Sequence, residues 1–367
     1  MAMRWASLAP APQRYSYALV LGAAVLGLLA PAWAGWVLGP VLLLGLVLLG
    51  VAHGACDQFV VPATYPALAR RRGRYWVVFV GSYLGLAAAM GLLWWRWPGL
   101  ALGFFFGLSA WHWGSGDAPA TARYRAQWLA HSALRGLLLF AVPLLVWPAA
   151  TQALINALLA LSGAAPVRAA ALAHAGQLLG LAALVGHAAL WGSYYLLGQR
   201  QLAATDLLEA LLLALLLAAL PPVLAGSVYF VGWHSLQHIL RMNRLAGRSS
   251  PSWSGLSREL TFFWRRAAPL LAVSVAALAV LYSLPWVRAA GSPVLISLAL
   301  LVASVVTLPH ALLVTLGLDA ARWQRAAPRA KTSQALNRPS NGSFAISLAA
   351  GRNSRASVGV RLPSDVR

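Results

Sequence analysis

Residues 36–57 read WVLGPVLLLGLVLLGVAHGACD. Wound as an α-helix, such a stretch is about 33 Å long, enough to cross a hydrocarbon core of about 30 Å. Its first charged residue is Asp57, at the far end. Similar apolar runs recur along the whole 367-residue chain, which is 60% hydrophobic, 10% charged and has a mean hydropathy of +0.71. A soluble globular domain carries roughly 25% charged residues, so a water-soluble enzyme with one core is excluded. The expected fold is all-α, a polytopic transmembrane helix bundle of about 8–10 spans.

The net charge of +21 would suit nucleic acid, but the basic residues sit in short loops and in the tail. That is where topology places them in a membrane protein, so no nucleic-acid partner is expected. The spans are expected near 17–33, 36–57, 75–95, 99–116, 128–148, 171–197, 205–224, 226–242, 268–287 and 292–318. The stretch 151–165 is shorter and bracketed by Pro148 and Pro166, and reads as interfacial. With the N-terminus inside, Arg70, Arg71, Arg72, Arg74, Arg123, Arg125, Arg241, Arg244 and Arg248 fall on the cytoplasmic side. Only Arg96, Arg168 and Arg288 then fall outside. The expected location is a cell inner membrane, multi-pass, with both termini cytoplasmic. Residues 1–16 read as a polar cytoplasmic N-terminus, 17–320 as the transmembrane catalytic bundle and 321–367 as a basic disordered cytoplasmic tail. No cleavable signal peptide is expected, because the first apolar run has the length of a full span. The single cysteine, Cys56, excludes an intramolecular disulfide and a Cys-based zinc site.

Ionisable residues inside spans are costly and point to function. The chain has seven carboxylates and eight histidines. Three local patterns concentrate them: His53-Gly-Ala-Cys-Asp57, Trp111-His112-Trp113-Gly-Ser-Gly-Asp117, and Tyr229-Phe230-Val-Gly-Trp233-His234-Ser-Leu-Gln-His238. A weaker one is Thr307-Leu-Pro-His310. The spans bearing them all run from outside to inside, and each histidine lies near the inner end of its span. His53, His112, His234, His238 and His310 therefore share one depth. His234 and His238, four apart, project from one helix face. Convergence of histidines from several helices is how bundles build metal sites, and His53, His112, His234 and His238 are the candidate ligands. His310 reads either as an outer partner of the site or as a packing residue. His131, His174 and His187 read as structural.

Imidazole suits several transition metals, and the surrounding chemistry narrows the choice. A zinc protease would carry a carboxylate between its helical histidines, whereas His234 and His238 enclose Ser235, Leu236 and Gln237. A two-iron desaturase would need more clustered histidines. Four imidazoles around a single Fe(II) fit the count and leave coordination positions free. Asp57 and Asp117 could orient those imidazoles and compensate the metal's charge; alternatively they cap helices or pair with loop arginines.

The ordered set of motifs, spread over residues 36–320, resembles the Brp/Blh family, the bacterio-opsin-related membrane β-carotene 15,15′-dioxygenases of bacteria and archaea. The resemblance implies oxidative cleavage of β-carotene at its central double bond to two molecules of retinal, with Fe(II) as cofactor and O2 as co-substrate. It carries the family's iron ligands onto His53, His112, His234 and His238. This chain departs from the family's usual residues at Ala52, Cys56 and Gln237 and in its basic tail. The expected partners are β-carotene or a related carotenoid, O2 and membrane lipid, with a rhodopsin as a fitting receiver of retinal.

With the metal near one membrane face, a long carotenoid centred on it has to bend or lie obliquely, entering through a lateral opening to lipid. Phe104, Phe105, Trp111, Trp113, Tyr229, Phe230 and Trp233 are the candidate lining of that tunnel. The competing readings are a dioxygenase for a different carotenoid, a haem-binding membrane electron carrier with paired axial histidines, and a transporter.

Overall fold

A computed structural model describes residues 13–119, 121–248 and 255–323. Among the described residues the chain is built from helices, and no strand occurs. The helices that matter are α1 (Gln13–Leu29), α2 (Pro31–Gly45), α3 (Arg72–Arg96), α4 (Pro98–Asp117), α5 (Arg125–Val146) and α6 (Pro148–Leu161). They continue as α7 (Ala169–Leu196), α8 (Arg200–Ala219), α9 (Pro222–Val228), α10 (Leu236–Leu245), α11 (Leu256–Ser283) and α12 (Ser292–Leu313). Each expected span is matched by one of them or by a continuous pair.

Seven of the described helices are long and apolar enough to cross a membrane, among them Pro31–Thr64, Arg125–Val146 and Ser292–Leu318. This is a multi-pass membrane protein. The ten expected spans exceed that number for identifiable reasons. α1 has 17 residues, and α4 and the helix over residues 222–245 are diluted by the polar residues of their histidine motifs. α6 has 14 residues, about 21 Å, too short to cross, as its reading as a non-spanning segment requires. The outer surface is apolar: Leu29, Trp36, Trp95 and Leu196 are each at least 80% exposed, which only lipid tolerates over so large an area.

Prolines open α2, α4, α6 and α9. The first helical position tolerates proline because its missing N–H has no intrahelical partner anyway. The residue before proline is kept out of the helical region, as at Trp97 (φ −143°, ψ 72°) and Trp147 (φ −124°, ψ 50°). Each such pair turns the chain tightly from one helix into the next.

Among the described residues, three helices are locally underwound into π-helical turns, at Leu46–Val51, Tyr229–Ser235 and Val314–Leu318. The first follows α2 and leads directly to His53. The second joins α9 to α10 and contains His234. The third follows α12 four residues after His310. Such single-turn distortions gather at functional sites, and here each one lies beside a candidate histidine.

α4 and α5 approach closely through small residues. Ala110 and Gly114 on one face meet Ser132 and Gly136 on the other, a small-xxx-small pairing on both helices. A methyl group at Gly114 would overlap the Ser132 carbonyl, and one at Gly136 would overlap the backbone of Ala110. Trp94 donates its indole N–H to Ser304 Oγ at 2.7 Å, pinning α3 to α12. The described chain continues past α12 to a helical turn at Ala320–Trp323, where Trp323 packs on Trp111 and Trp128. The expected tail beyond residue 323, and residues 1–12 of the expected N-terminal segment, lie outside the described residues.

The α4–α5 contact predicts that Gly136→Ala costs about 1–3 kcal/mol by overpacking. Gly85→Ala on α3, where an added Cβ meets nothing, should be neutral. Thermal unfolding of the two variants in detergent checks the contrast.

Candidate metal centre

His53 sits on the short helical turn Ala52–Gly54, released from α2 by the π-helical turn before it. His112 projects from the last third of α4, His234 from the π turn between α9 and α10, His238 from α10 and His310 from α12. All five are buried. Histidines separated by up to 257 positions thus meet in one place.

The rings pack edge to face. His310 lies 4.8 Å from both His53 and His112, measured between ring centroids, and 5.2 Å from His238. His112 is 4.9 Å from His234, and His53 is 5.6 and 5.4 Å from His234 and His238. The ligating atoms of His53, His112 and His310 fall within 4.8 Å of one another, and so do those of Asp57, His238 and His310. Nitrogens held about 2 Å from one ion lie at most about 4 Å apart, so each of these trios needs little contraction to close on a metal; His234 belongs to neither.

Hydrogen bonds fix two of the rings. His53 Nδ1 bonds the carbonyl of Gly50 at 2.5 Å. A carbonyl only accepts, so Nδ1 carries the proton and Nε2 keeps its lone pair. His310 Nδ1 bonds Asp57 Oδ2 at 2.8 Å, which in the same way leaves Nε2 of His310 as the free nitrogen. Tyr83 donates to the same carboxylate oxygen at 3.2 Å. The Nε2 atoms of His234, His238 and His310, and both nitrogens of His112, are buried without a hydrogen-bond partner. An unpaired buried polar group of this kind costs about 1–3 kcal/mol. Several in one cluster are what a site for a cation looks like before the cation is considered.

The side chains of His53, His112, His234 and His238 therefore lie in one cluster, and Asp57 bonds His310 rather than one of these four. Asp117 is engaged differently: it accepts a hydrogen bond from Tyr229 at 3.0 Å. The aromatic residues divide. Phe230 lies edge-on to His53 at 5.4 Å and stacks on His234 at 6.0 Å. Trp113 lies 6.0 Å from His234 and stacks on Phe140, while Tyr229 packs against Trp113. Trp233 stacks instead on Tyr17, and Trp111 packs edge-on to Trp128 and at a tilt to Trp323. Phe105 is buried in a separate apolar cluster with Met90 and Trp94, and Phe104 is exposed. Phe230, Trp113 and Tyr229 are thus the ones that flank the histidines.

A second buried polar cluster was missed by the sequence reading. Arg135 of α5 is wholly buried and donates to Asp206 at 2.5 Å and Glu209 at 3.0 Å, both on α8. Tyr17 donates to Glu209 at 2.5 Å, Trp191 donates to Asp206 at 2.8 Å, and His131 lies 3.3 Å from Asp206. This network ties α1, α5, α7 and α8 together. Its signal was legible: a lone arginine in an otherwise apolar run, and two carboxylates three residues apart on another. His131 and His187 lie on its margin, the latter against Trp191.

The profile of the family described as β-carotene 15,15′-dioxygenase matches residues 44–317, a segment holding all five clustered histidines. The chain belongs to the β-carotene 15,15′-dioxygenase family. It is an oxidoreductase of carotenoid cleavage and retinal biosynthesis. The dioxygenase is 29% identical over 325 residues to a protein of Halobacterium salinarum named as a probable β-carotene 15,15′-dioxygenase, Blh, covering 81% of this chain and 91% of that one. No solved structure matches it.

Removing one partner of a buried ion pair leaves the other charge uncompensated, at about 3–5 kcal/mol. Arg135→Leu in the dioxygenase should lose that much stability. Adding Asp206→Asn and Glu209→Gln to the same chain should recover a large part of it, read from thermal unfolding in detergent. A triple variant no more stable than Arg135→Leu alone would show that the network does not act as a charge unit.

Proposed function

We propose that this enzyme cleaves β-carotene at its central 15,15′ double bond into two molecules of retinal, using non-haem Fe(II) and O2. His53, His112, His234 and His238 would hold the iron. The observation that carries this reading is the cluster of buried imidazoles from separate helices with unpartnered nitrogens, in a chain of this family.

Iron held there would supply the activation of O2 that the scission of a carbon–carbon double bond requires. The protein does the rest. Burial of all the ligands excludes bulk water, so a polyene placed there reacts in an apolar medium. The hydrogen bond from His53 to Gly50, and that from His310 to Asp57, set tautomers that leave Nε2 free. Phe230 and Trp113 form an aromatic wall beside His53 and His234, a surface suited to the flat face of a conjugated chain. Asp57, as a buried carboxylate beside the histidines, offsets charge that neutral imidazoles do not.

The haem reading fits poorly. Rings of five histidines surround the centre at centroid separations near 5 Å, and a porphyrin would have to displace several of them. The arginine-rich loops support a location in a cell inner membrane with both termini on the cytoplasmic side. In that orientation the site lies toward the cytoplasmic face. A substrate longer than the remaining depth then enters obliquely from the lipid, and retinal leaves into the same bilayer, where a rhodopsin could take it up.

The test is chromatographic assay of retinal after incubating detergent-purified protein with Fe(II), air and β-carotene, beside His234→Ala. The wild type is expected to yield retinal and the variant only background. Bound iron without retinal would redirect the assay to other carotenoids. Absence of both iron and retinal would overturn the reading.

A further inference from the structure

We propose that His310 is a fifth metal ligand, binding through Nε2, and that Asp57 holds it in place. The inference rests on the metal reading above and changes the composition of the site from four imidazoles to five.

Position supports it first. His310 is no peripheral member of the cluster: its ring lies 4.8 Å from His53, 4.8 Å from His112 and 5.2 Å from His238. The expected pair His234 and His238 are farther apart, at 6.3 Å. Among the described residues, both groups of side chains close enough to share an ion contain His310. A histidine kept for helix packing would not place its ring among three others.

Hydrogen bonding supports it independently. The Nδ1–H of His310 is taken by Asp57 Oδ2 at 2.8 Å, and the carboxylate is itself fixed by Tyr83 at 3.2 Å. That carboxylate–imidazole pair is the usual support of a metal-bound histidine: it sets the tautomer, locks the ring and makes the opposite nitrogen more basic. The opposite nitrogen, Nε2, is buried and has no hydrogen-bond partner. Without a cation, its lone pair would be desolvated and would face the lone pairs of neighbouring imidazoles. Gly54 backs onto the pair: a Cβ there would lie 3.7 Å from His310 Nδ1 and 3.9 Å from Asp57 Oδ2, in ordinary van der Waals contact.

Charge follows the same logic. Five imidazoles are neutral, and a divalent ion among them in a medium of low dielectric would stay uncompensated. Asp57, one hydrogen bond from the ligand shell, lowers the net charge of the site without occupying a coordination position. Five ligands also leave fewer free positions on the ion than four.

The experiment uses Co(II), a divalent ion whose d–d absorption reports coordination number. Full-length protein in detergent is titrated as wild type, His310→Gly, His310→Gly with added imidazole, and Asp57→Asn. The expected wild type binds one Co(II) per chain. His310→Gly should shift and intensify the d–d bands and weaken binding by more than the 10–100-fold typical of losing an outer partner. Added imidazole should restore the wild-type spectrum. Asp57→Asn should weaken binding by about 10–100-fold while keeping the wild-type bands. Unchanged bands in His310→Gly would overturn the fifth ligand and leave the four-histidine site standing. A wild type that binds no Co(II) would overturn the metal reading and this inference with it. If His310→Gly does not fold, X-ray absorption at the cobalt edge of the wild type decides: five imidazoles support the proposal, and four overturn it.

Discussion

The structure is organised around a constraint on lone pairs. Imidazoles brought within about 5 Å of one another in a medium without water present nitrogens that neither solvent nor backbone satisfies. Each such group is expensive, and here several stand together with no polar partner. Helices bearing them would drift apart in lipid, which solvates apolar surfaces as well as other helices do. The bundle counters this with devices away from the cluster. Gly114 and Gly136 let α4 and α5 touch along their backbones, Trp94 ties α3 to α12 through Ser304, and Arg135 clamps α5 to α8. The cluster is held by its frame, and a cation would supply what the frame cannot.

The π-helical turns are the local means of aiming the histidines. A regular α-helix repeats its faces every 3.6 residues, and four helices meeting at arbitrary angles would rarely point histidines at a shared centre. Widening one turn rotates everything after it relative to everything before. At Leu46–Val51 this decouples the direction of His53 from the lipid-facing pattern of α2. At Tyr229–Ser235 it lets Phe230 and His234 lie nearly parallel, with His238 a turn further on. Each helix can then keep its apolar exterior and still deliver its polar side chain inward.

Much of this was legible in the sequence, for physical reasons that also mark where legibility ended. Apolar runs fixed the helices, because hydropathy and length are all that a membrane asks of a span. Charge in the loops suggested a direction, from which a common depth for five histidines was expected; the structure brings the five together. Composition could not rank them. Thr307-Leu-Pro-His310 has no partner residue within its own helix, so its place among the others depended on how α12 packs against α3, α4 and α6. Asp57 and Asp117 looked equivalent, each a few residues beyond a histidine. Only packing shows one engaged with an imidazole and the other with Tyr229. Arg135 escaped notice because attention to loop charge passes over a charge in mid-span, although an arginine in such a place needs a buried counter-ion by necessity.

The dilution of α4 and of residues 222–245 by their motifs has a consequence for how the protein enters its membrane. These two segments bring His112, His234 and His238 and, unlike α2 and α12, are not apolar enough to qualify as spans by themselves. A helix is committed to the bilayer one at a time as it leaves the ribosome, and a weakly apolar one partitions poorly without help. The neighbours that α4 needs lie on both sides of it in the chain: α3, already made, and α5, whose Ser132 and Gly136 accept its backbone. The helix over residues 222–245 similarly follows α8, one of the most apolar segments of the chain. The order of the helices therefore places a strongly inserting segment beside each weak one, and helices rich in polar motif residues are carried into the membrane by neighbours that bear none of the five clustered histidines.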